Sequence, residues 1–240
     1  MIVKDFFKVG VKDIDKSFKI SNKTILEIFE NVGEYHSDII GYGTLDIPTT
    51  NRSWVLLEWQ LKVMKRPKYG EKLEAKTWAR NCSKFFTHRD FEIYNENNEK
   101  CIIGTSKWTW VEVSTGKMAK MENDIDLKYG AEENHVFPET EIEKIEEPEN
   151  YINEITYTVL RRDIDINNHM HNIYYLDLAE EALPQDIYLE KPYDNIRISY
   201  KRGIKIGETV KLKYGIKERK HIVRIENSEG KESALIAMWN

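Results

Sequence analysis

The sequence has little of what staples, interrupts or anchors a chain. Two cysteines in 240 residues, Cys82 and Cys101, exclude a disulfide framework, and neither lies in a CxxC or Cys/His cluster that would suggest zinc. With no histidine or basic spacing to activate them they read as buried structural thiols, and a reducing compartment fits. Six prolines and 12 glycines exclude collagen-like and low-complexity classes. No uncharged apolar run approaches the roughly 20 residues of a membrane-spanning helix. The start, Met1-Ile-Val-Lys-Asp-Phe-Phe-Lys, is too charged for the apolar stretch of a signal peptide. A basic excess is also missing: 36 Lys+Arg stand against 41 Asp+Glu, a net charge of -5, which argues against nucleic acid as the main partner. A soluble, cytoplasmic protein is expected.

What is present is a chain 40% hydrophobic, long enough for one large domain or two small ones. Ser21 is a good N-cap, and Ile25, Ile28, Phe29, Val32 and Tyr35 recur at helical spacing, so a helix is predicted from Ser21 to near Gly41. The stretch from Phe6 to Phe18 alternates loosely, as a strand would. From Ser53 the period changes to two: strands are predicted over 54–64, 72–80, 85–94 and 101–113, with Asn95-Glu-Asn-Asn-Glu as a hairpin turn. From Glu139 to Glu149 six glutamates crowd together, flanked by Pro138 and interrupted by Pro148, which predicts a solvated acidic linker over 128–150. It would separate a domain at 1–127 from one at 151–240.

The second half repeats the order of the first. A strand over 155–161 precedes a helix predicted over 170–183 and stopped by Pro184, then strands return. Gly70-Glu-Lys-Leu-Glu-Ala recurs as Gly207-Glu-Thr-Val-Lys-Leu, so an internal duplication of domain length is inferred. One strand, one helix and an antiparallel run of strands make an α+β plan with the sheet wrapped around an apolar helix. The second helix fits, because Met170, Ile173, Tyr174, Leu176, Leu178, Ala179 and Ala182 leave mainly the Asp177, Glu180 and Glu181 flank for water.

Candidate chemistry concentrates in Asp163-Ile-Asp-Ile-Asn-Asn-His-Met-His-Asn-Ile-Tyr-Tyr, ahead of that helix. In an extended chain Asp165, Asn167 and His169 share one face and Ile164 and Ile166 the other. The free amides of the following first helical turn, Met170, His171 and Asn172, would offer a partly positive site for an oxyanion. Taken singly, each has a simpler use: Asn167 or Asn168 as an N-cap, Asp165 as a partner of the helix dipole, His169 as a core histidine. A carboxylate, an amide and an imidazole together point to acyl transfer.

This segment resembles the Asp-x-Asp-x-Asn-x-His-x-x-Asn-x-x-Tyr motif of the acyl-ACP thioesterases. Ser53-Trp-Val-Leu, Arg66-Pro-Lys-Tyr-Gly-Glu, Thr77-Trp-Ala-Arg, Arg89-Asp-Phe and Thr105-Ser-Lys-Trp are similar in order and spacing to that family's N-terminal domain. The resemblance implies a tandem double hotdog with Asp165, Asn167 and His169 as the catalytic set, and no metal or cofactor. It also implies hydrolysis of fatty acyl-ACP to free fatty acid and holo-carrier in fatty acid biosynthesis, with Asp165 activating water and His169 and Asn167 orienting it. One position departs from the family: Tyr200-Lys-Arg-Gly-Ile puts Gly203 where a Glu is frequent, and Ile204 where plant members have a Cys. An acyl-CoA thioesterase and a catalytically weakened acyl-binding hotdog stay open as alternatives.

His169 and His171 form an HxH pair, but i and i+2 diverge on entering a helix and no third ligand is near in sequence. The tryptophans at 54, 59, 78, 108 and 110 read as core or sheet-face residues. Lys62, Lys65, Arg66, Lys68, Arg161, Arg162, Lys201, Arg202 and Lys205 are basic residues near strand ends, able to steer an acidic carrier protein although the whole chain is acidic. Because the duplication supplies within one chain the pairing that a single hotdog finds by dimerising, a monomer or a homodimer is expected.

Overall fold

The computed structural model describes residues 1–190 and 192–240, and the chain divides into two compact units, Met1–Ile142 and Glu143–Asn240. In the first unit the strands are β1 (Val3–Lys8), β2 (Arg52–Val63), β3 (Lys72–Ala79), β4 (Phe86–Asn95), β5 (Lys100–Glu112) and the short β6 (Lys117–Ala119). The helices are α1 (Asn22–Ile39) and the one-turn α2 (Ile47–Thr50) and α3 (Ile125–Tyr129). The sheet order is β1-β3-β4-β5-β2, every neighbour antiparallel, with β6 added to β5.

Helix α1 starts where its cap requires. The Ser21 hydroxyl accepts the Thr24 N–H at 3.1 Å, which satisfies one of the amides a helix start leaves unpaired. Ile25, Leu26, Phe29 and Val32 are then buried in one stripe. The Phe29 ring lies 4.6 Å from that of Phe91 and 5.9 Å from that of Trp59, centroid to centroid. Gly104 on β5 permits that approach, since a Cβ there would stand 2.4 Å from Phe29 Cε2.

The second unit consists of β7 (Asn153–Thr158), α4 (Tyr174–Glu181), the one-turn α5 (Gln185–Tyr188), β8 (Asn195–Tyr200), β9 (Thr209–Lys217), β10 (Lys220–Glu226) and β11 (Glu232–Trp239). Its sheet order, β7-β9-β10-β11-β8, repeats that of the first unit strand for strand, again antiparallel throughout. Each unit is thus a hotdog, a curved antiparallel sheet around one main helix, and the α+β duplication read from the sequence is the fold. Tyr175, Leu176, Leu178 and Ala179 of α4 are buried, as are Ile196, Ile198, Leu212, Tyr214, Val223 and Ile236 of its sheet.

Two sequence expectations need correction. The helix predicted over 170–183 is regular only over Tyr174–Glu181, because the residues before it give their amides to a loop rather than to a helical turn. The segment expected as a solvated linker, 128–150, is shared between the units and lies against them. Tyr129, Phe137 and Pro148 are buried, and Arg80 donates to the Thr140 carbonyl at 2.7 Å. Its glutamates face cations of their own unit: Glu141 meets Lys107 at 2.7 Å, and Glu147 meets Arg224 at 2.8 Å. Opposite charge on the strands thereby offsets the repulsion that the sequence alone suggested. Among the described residues no helix is long and apolar enough to cross a membrane.

Candidate active site

The motif segment is held from beneath by Asp163, which is 6% exposed. Its Oδ2 accepts the Tyr157 hydroxyl and the Leu160 N–H, both at 2.7 Å, and its carbonyl accepts the His171 N–H at 2.8 Å. Burial, and after it the bond to Asp163, holds the Tyr157 phenol above its usual pKa, so the phenol stays protonated and donates.

Above this anchor the chain does not run extended, as alternation suggested, but turns. Ile164 bridges Met170, the Asp165 N–H donates to the His169 carbonyl at 2.8 Å, and the Asn168 N–H donates to the Asp165 carbonyl at 3.1 Å. Asn168 makes the reversal possible with φ +59°, a left-handed conformation asparagine tolerates better than most residues. Asp165 is the hub. Its Oδ1 accepts the backbone N–H of Asn167 at 2.8 Å and of His169 at 3.2 Å, and the Asn167 side-chain amide lies 3.5 Å from Oδ2.

The structure therefore brings Asp165, Asn167 and His169 onto one tight turn rather than along one face of a strand. Asp165 and Asn167 approach each other through their side chains, and His169 reaches Asp165 through its backbone. Its imidazole makes no hydrogen bond to either among the described residues, and lies instead over Gly203.

The three amides expected to form an oxyanion site have different fates. The Met170 N–H donates to the Ile204 carbonyl at 2.7 Å and the His171 N–H to Asp163, so neither is free to meet an oxyanion. The Asn172 N–H has no such bond among the described residues, and neither does that of Ile173. Around them, Tyr200 donates its hydroxyl to the Asn172 carbonyl at 2.9 Å and Tyr175 donates to the Arg202 carbonyl at 3.4 Å. Burial pushes the Tyr175 phenol pKa up and keeps it a donor. Among the described residues no three His, Cys, Asp or Glu side chains gather around one metal position.

The anchoring role of Asp163 and the turn at Asn168 went unread in the sequence, yet a signal was there. Asp13-Ile-Asp in the first half matches Asp163-Ile-Asp in the second, and the two loops share most of their backbone hydrogen bonds. Asp13 Oδ2 accepts the Gly10 N–H at 2.7 Å, Asp15 N–H donates to the Lys19 carbonyl at 2.9 Å, and Ile20 N–H donates to the Pro67 carbonyl at 2.9 Å. Only the side chains differ: Ser17 replaces Asn167, Lys19 replaces His169, and Arg66 stands where the second copy has Gly203.

Comparison with known proteins agrees with this architecture. Residues 2–129 match the family described as acyl-ACP thioesterase N-terminal domain, and residues 145–239 match its C-terminal domain. The oleoyl-acyl carrier protein thioesterase 1 of Arabidopsis thaliana is 26% identical over 224 residues, covering 86% of this chain and 62% of the relative. That of Coriandrum sativum is 24% identical over 225 residues, covering 86% of this chain and 60% of the relative. The chain thus spans about three fifths of the length of these plant relatives. Among solved structures, an acyl-ACP thioesterase from Bacteroides thetaiotaomicron superposes with a TM-score of 0.87 at 20% identity, over 99% of this chain and 97% of the other. The 12:0-ACP thioesterase from Umbellularia californica gives 0.88 at 16% identity, over 99% and 96%. With both halves matched in order across nearly all its length, the chain belongs to the acyl-ACP thioesterase family.

Proposed function

We propose that this protein hydrolyses the thioester of fatty acyl-ACP in fatty acid biosynthesis, releasing free fatty acid and holo-carrier in the cytoplasm, as a monomer or homodimer. The observation that carries the reading is the Asp165 turn. Two backbone amides fix one carboxylate oxygen and leave Oδ2 beside the Asn167 amide, with the His169 imidazole on the same turn and unbonded to protein among the described residues. Family membership agrees with it.

In this reading Asp165 Oδ2 holds and activates a water, and Asn167 and His169 orient it against the thioester carbon. As the water oxygen bonds to that carbon, its proton passes to Asp165 and negative charge moves onto the carbonyl oxygen. The Asn172 and Ile173 amides lie free to stabilise that charge, in the place the sequence had assigned to Met170, His171 and Asn172. Collapse breaks the C–S bond, and the proton returns to the departing thiolate. Arg161 and Arg202, exposed on the same unit, would meet the acidic carrier; reversing both charges raises KM for acyl-ACP and leaves small thioesters unaffected.

The test is thiol release from a chain-length series of acyl-ACP with matched acyl-CoA. Turnover of acyl-ACP that falls about 10²-fold or more in Asp165→Asn, with the fold retained, is the expected result. Activity on acyl-CoA alone would move the substrate to the other carrier. Tight acyl binding without turnover, or an Asp165→Asn variant as active as the wild type, would overturn the reading.

A further inference from the structure

The two units do not begin their main helices alike. In the first, the Ser21 hydroxyl accepts the Thr24 N–H at 3.1 Å, and the Ile25 N–H donates to the Ser21 carbonyl, four residues back, at 3.2 Å. Helix α1 therefore opens capped and regular. In the second unit His171 stands where the first has Ser21, and α4 has no side-chain cap at its own start. There the Tyr175 N–H donates to the Asn172 carbonyl, only three residues back, at 3.3 Å, and the Tyr174 N–H to the His171 carbonyl at 3.0 Å. That is the tighter 3₁₀ pattern, and the Ile173 amide lies within it.

A phenol hydroxyl reinforces this tight turn. Tyr200, the last residue of β8, donates to the Asn172 carbonyl at 2.9 Å, nearer than the Tyr175 amide that shares the oxygen. The ring is carried by a strand end. Tyr200 pairs with Ala234 of β11, and its ring meets that of Tyr175 edge-on, with centroids 5.3 Å apart. The first unit supplies the comparison. With Pro67 matching Ile204 as acceptor of the loop amide, Val63 falls at the position of Tyr200 and Ile25 at that of Tyr175, both buried and neither bearing a hydroxyl. The hotdog frame closes there without this bond, so the frame alone does not require it.

The peptide unit itself shows what the bond controls. A trans peptide is planar, and its C=O and N–H point in opposite directions, so fixing the Asn172 carbonyl fixes the direction of the Ile173 N–H. That N–H has no backbone partner among the described residues and is one of the two amides proposed above for the oxyanion. Two donors on one carbonyl leave its plane little freedom to turn. We infer that Tyr200 is a positioning residue, whose hydroxyl holds the Asn172 carbonyl and so keeps the Ile173 N–H directed toward the developing oxyanion. The inference rests on the proposed hydrolysis for what the amide meets. The hold on the peptide plane is independent of it.

The experiment removes one oxygen. Tyr200→Phe keeps the ring and its contact with Tyr175, and acyl-ACP kinetics are paired with assigned 1H–15N spectra. The expected fall in kcat is about 10-fold, less than the roughly 10²–10³-fold that loss of an oxyanion donor costs, because the amide is loosened and not removed. KM stays within about twofold, since the charge forms only in the transition state. The Ile173 resonance, whose nitrogen is bonded to the released carbonyl carbon, shifts, while amides away from residues 170–176 and 198–204 are retained. Full turnover by Tyr200→Phe, a rise in KM at unchanged kcat, or an unmoved Ile173 resonance would overturn the inference. Absence of acyl-ACP turnover by the wild-type protein would instead defeat the proposed function, and the Ile173 resonance would still decide whether Tyr200 holds the peptide plane.

Discussion

Acidification should destabilise this protein well above the range where carboxylates titrate, and His36 on α1 is the place to measure it. His36 is fully buried, and its Nδ1 lies 3.0 Å from Arg89 Nη1. A guanidinium only donates, so Nδ1 must accept and the ring proton sits on Nε2, which has no partner among the described residues. Burial first and the Arg89 charge second hold the His36 pKa down to about 3. The unfolded chain binds a proton at this position below about pH 6.5, and the folded chain binds it only near 3. The stability due to neutral His36 is therefore complete above pH 6.5 and is lost by about 1.4 kcal/mol per unit as pH falls toward 3. From pH 7 to pH 5 that amounts to about 2 kcal/mol. His88, also held down to about 4 by burial and by Arg80, adds a loss of the same sign. Urea unfolding at pH 7, 6 and 5 reads the slope. His36→Asn keeps an acceptor for Arg89 but cannot titrate, so its stability should fall by about 2 kcal/mol less than the wild type over that interval. Parallel curves for the two proteins would refute the assignment.

Three further outcomes follow from named contacts. Gly104→Ala drives a methyl group into Phe29 and should cost about 1–3 kcal/mol in urea unfolding, a loss that Phe29→Leu partly recovers in the double variant; additive losses would sink the steric reading. Phe18 is 70% exposed at φ +61°, so Phe18→Asn should raise stability by up to about 1 kcal/mol, and a lowered urea midpoint would contradict that. Asp163→Asn and Asp13→Asn each weaken a charged anchor by about 1–3 kcal/mol, but only Asp163→Asn should depress acyl-ACP turnover of the folded protein. Equal turnover in the two would separate the loop from the chemistry.

The local parts of the fold were legible because each rests on neighbours in sequence. Ser21 followed by a stripe at helical spacing fixes α1 through a cap and a buried face. The turn at Asn95 is visible because its side-chain oxygen accepts the amides of Asn97 and Glu99, a bond available to any asparagine so placed. The position of the site was legible too, but not its shape. Alternation of Asp and Ile over 163–166 looks like a strand, whereas Asp165 takes up two amides ahead of it and Asn168 adopts a positive φ, which together reverse the chain. Alternation reports which faces are polar, and an aspartate two residues before an asparagine competes with it through its own hydrogen bonds. The buried contact between His36 and Arg89 was out of reach for another reason. The partners are 53 residues apart, and an arginine in an alternating strand reads as surface until the helix opposite it is in place.

The two copies of the Asp-x-Asp loop explain how a duplicated fold can hold one candidate site rather than two. The backbone frame is common to both: an aspartate under the turn, a second at its hub, and one amide passed to the strand-end carbonyl of Pro67 or Ile204. Two linked differences separate them. In the first copy Lys19 offers only a donor, and Arg66 turns its guanidinium to the Ile20 carbonyl and the Asn22 side chain, at 3.0 and 2.9 Å, so the space beside the turn is filled by a structural cation. In the second copy an imidazole lies over a residue with no side chain. The copies therefore differ at two side-chain positions, 19 against 169 and 66 against 203, carried on one shared backbone frame.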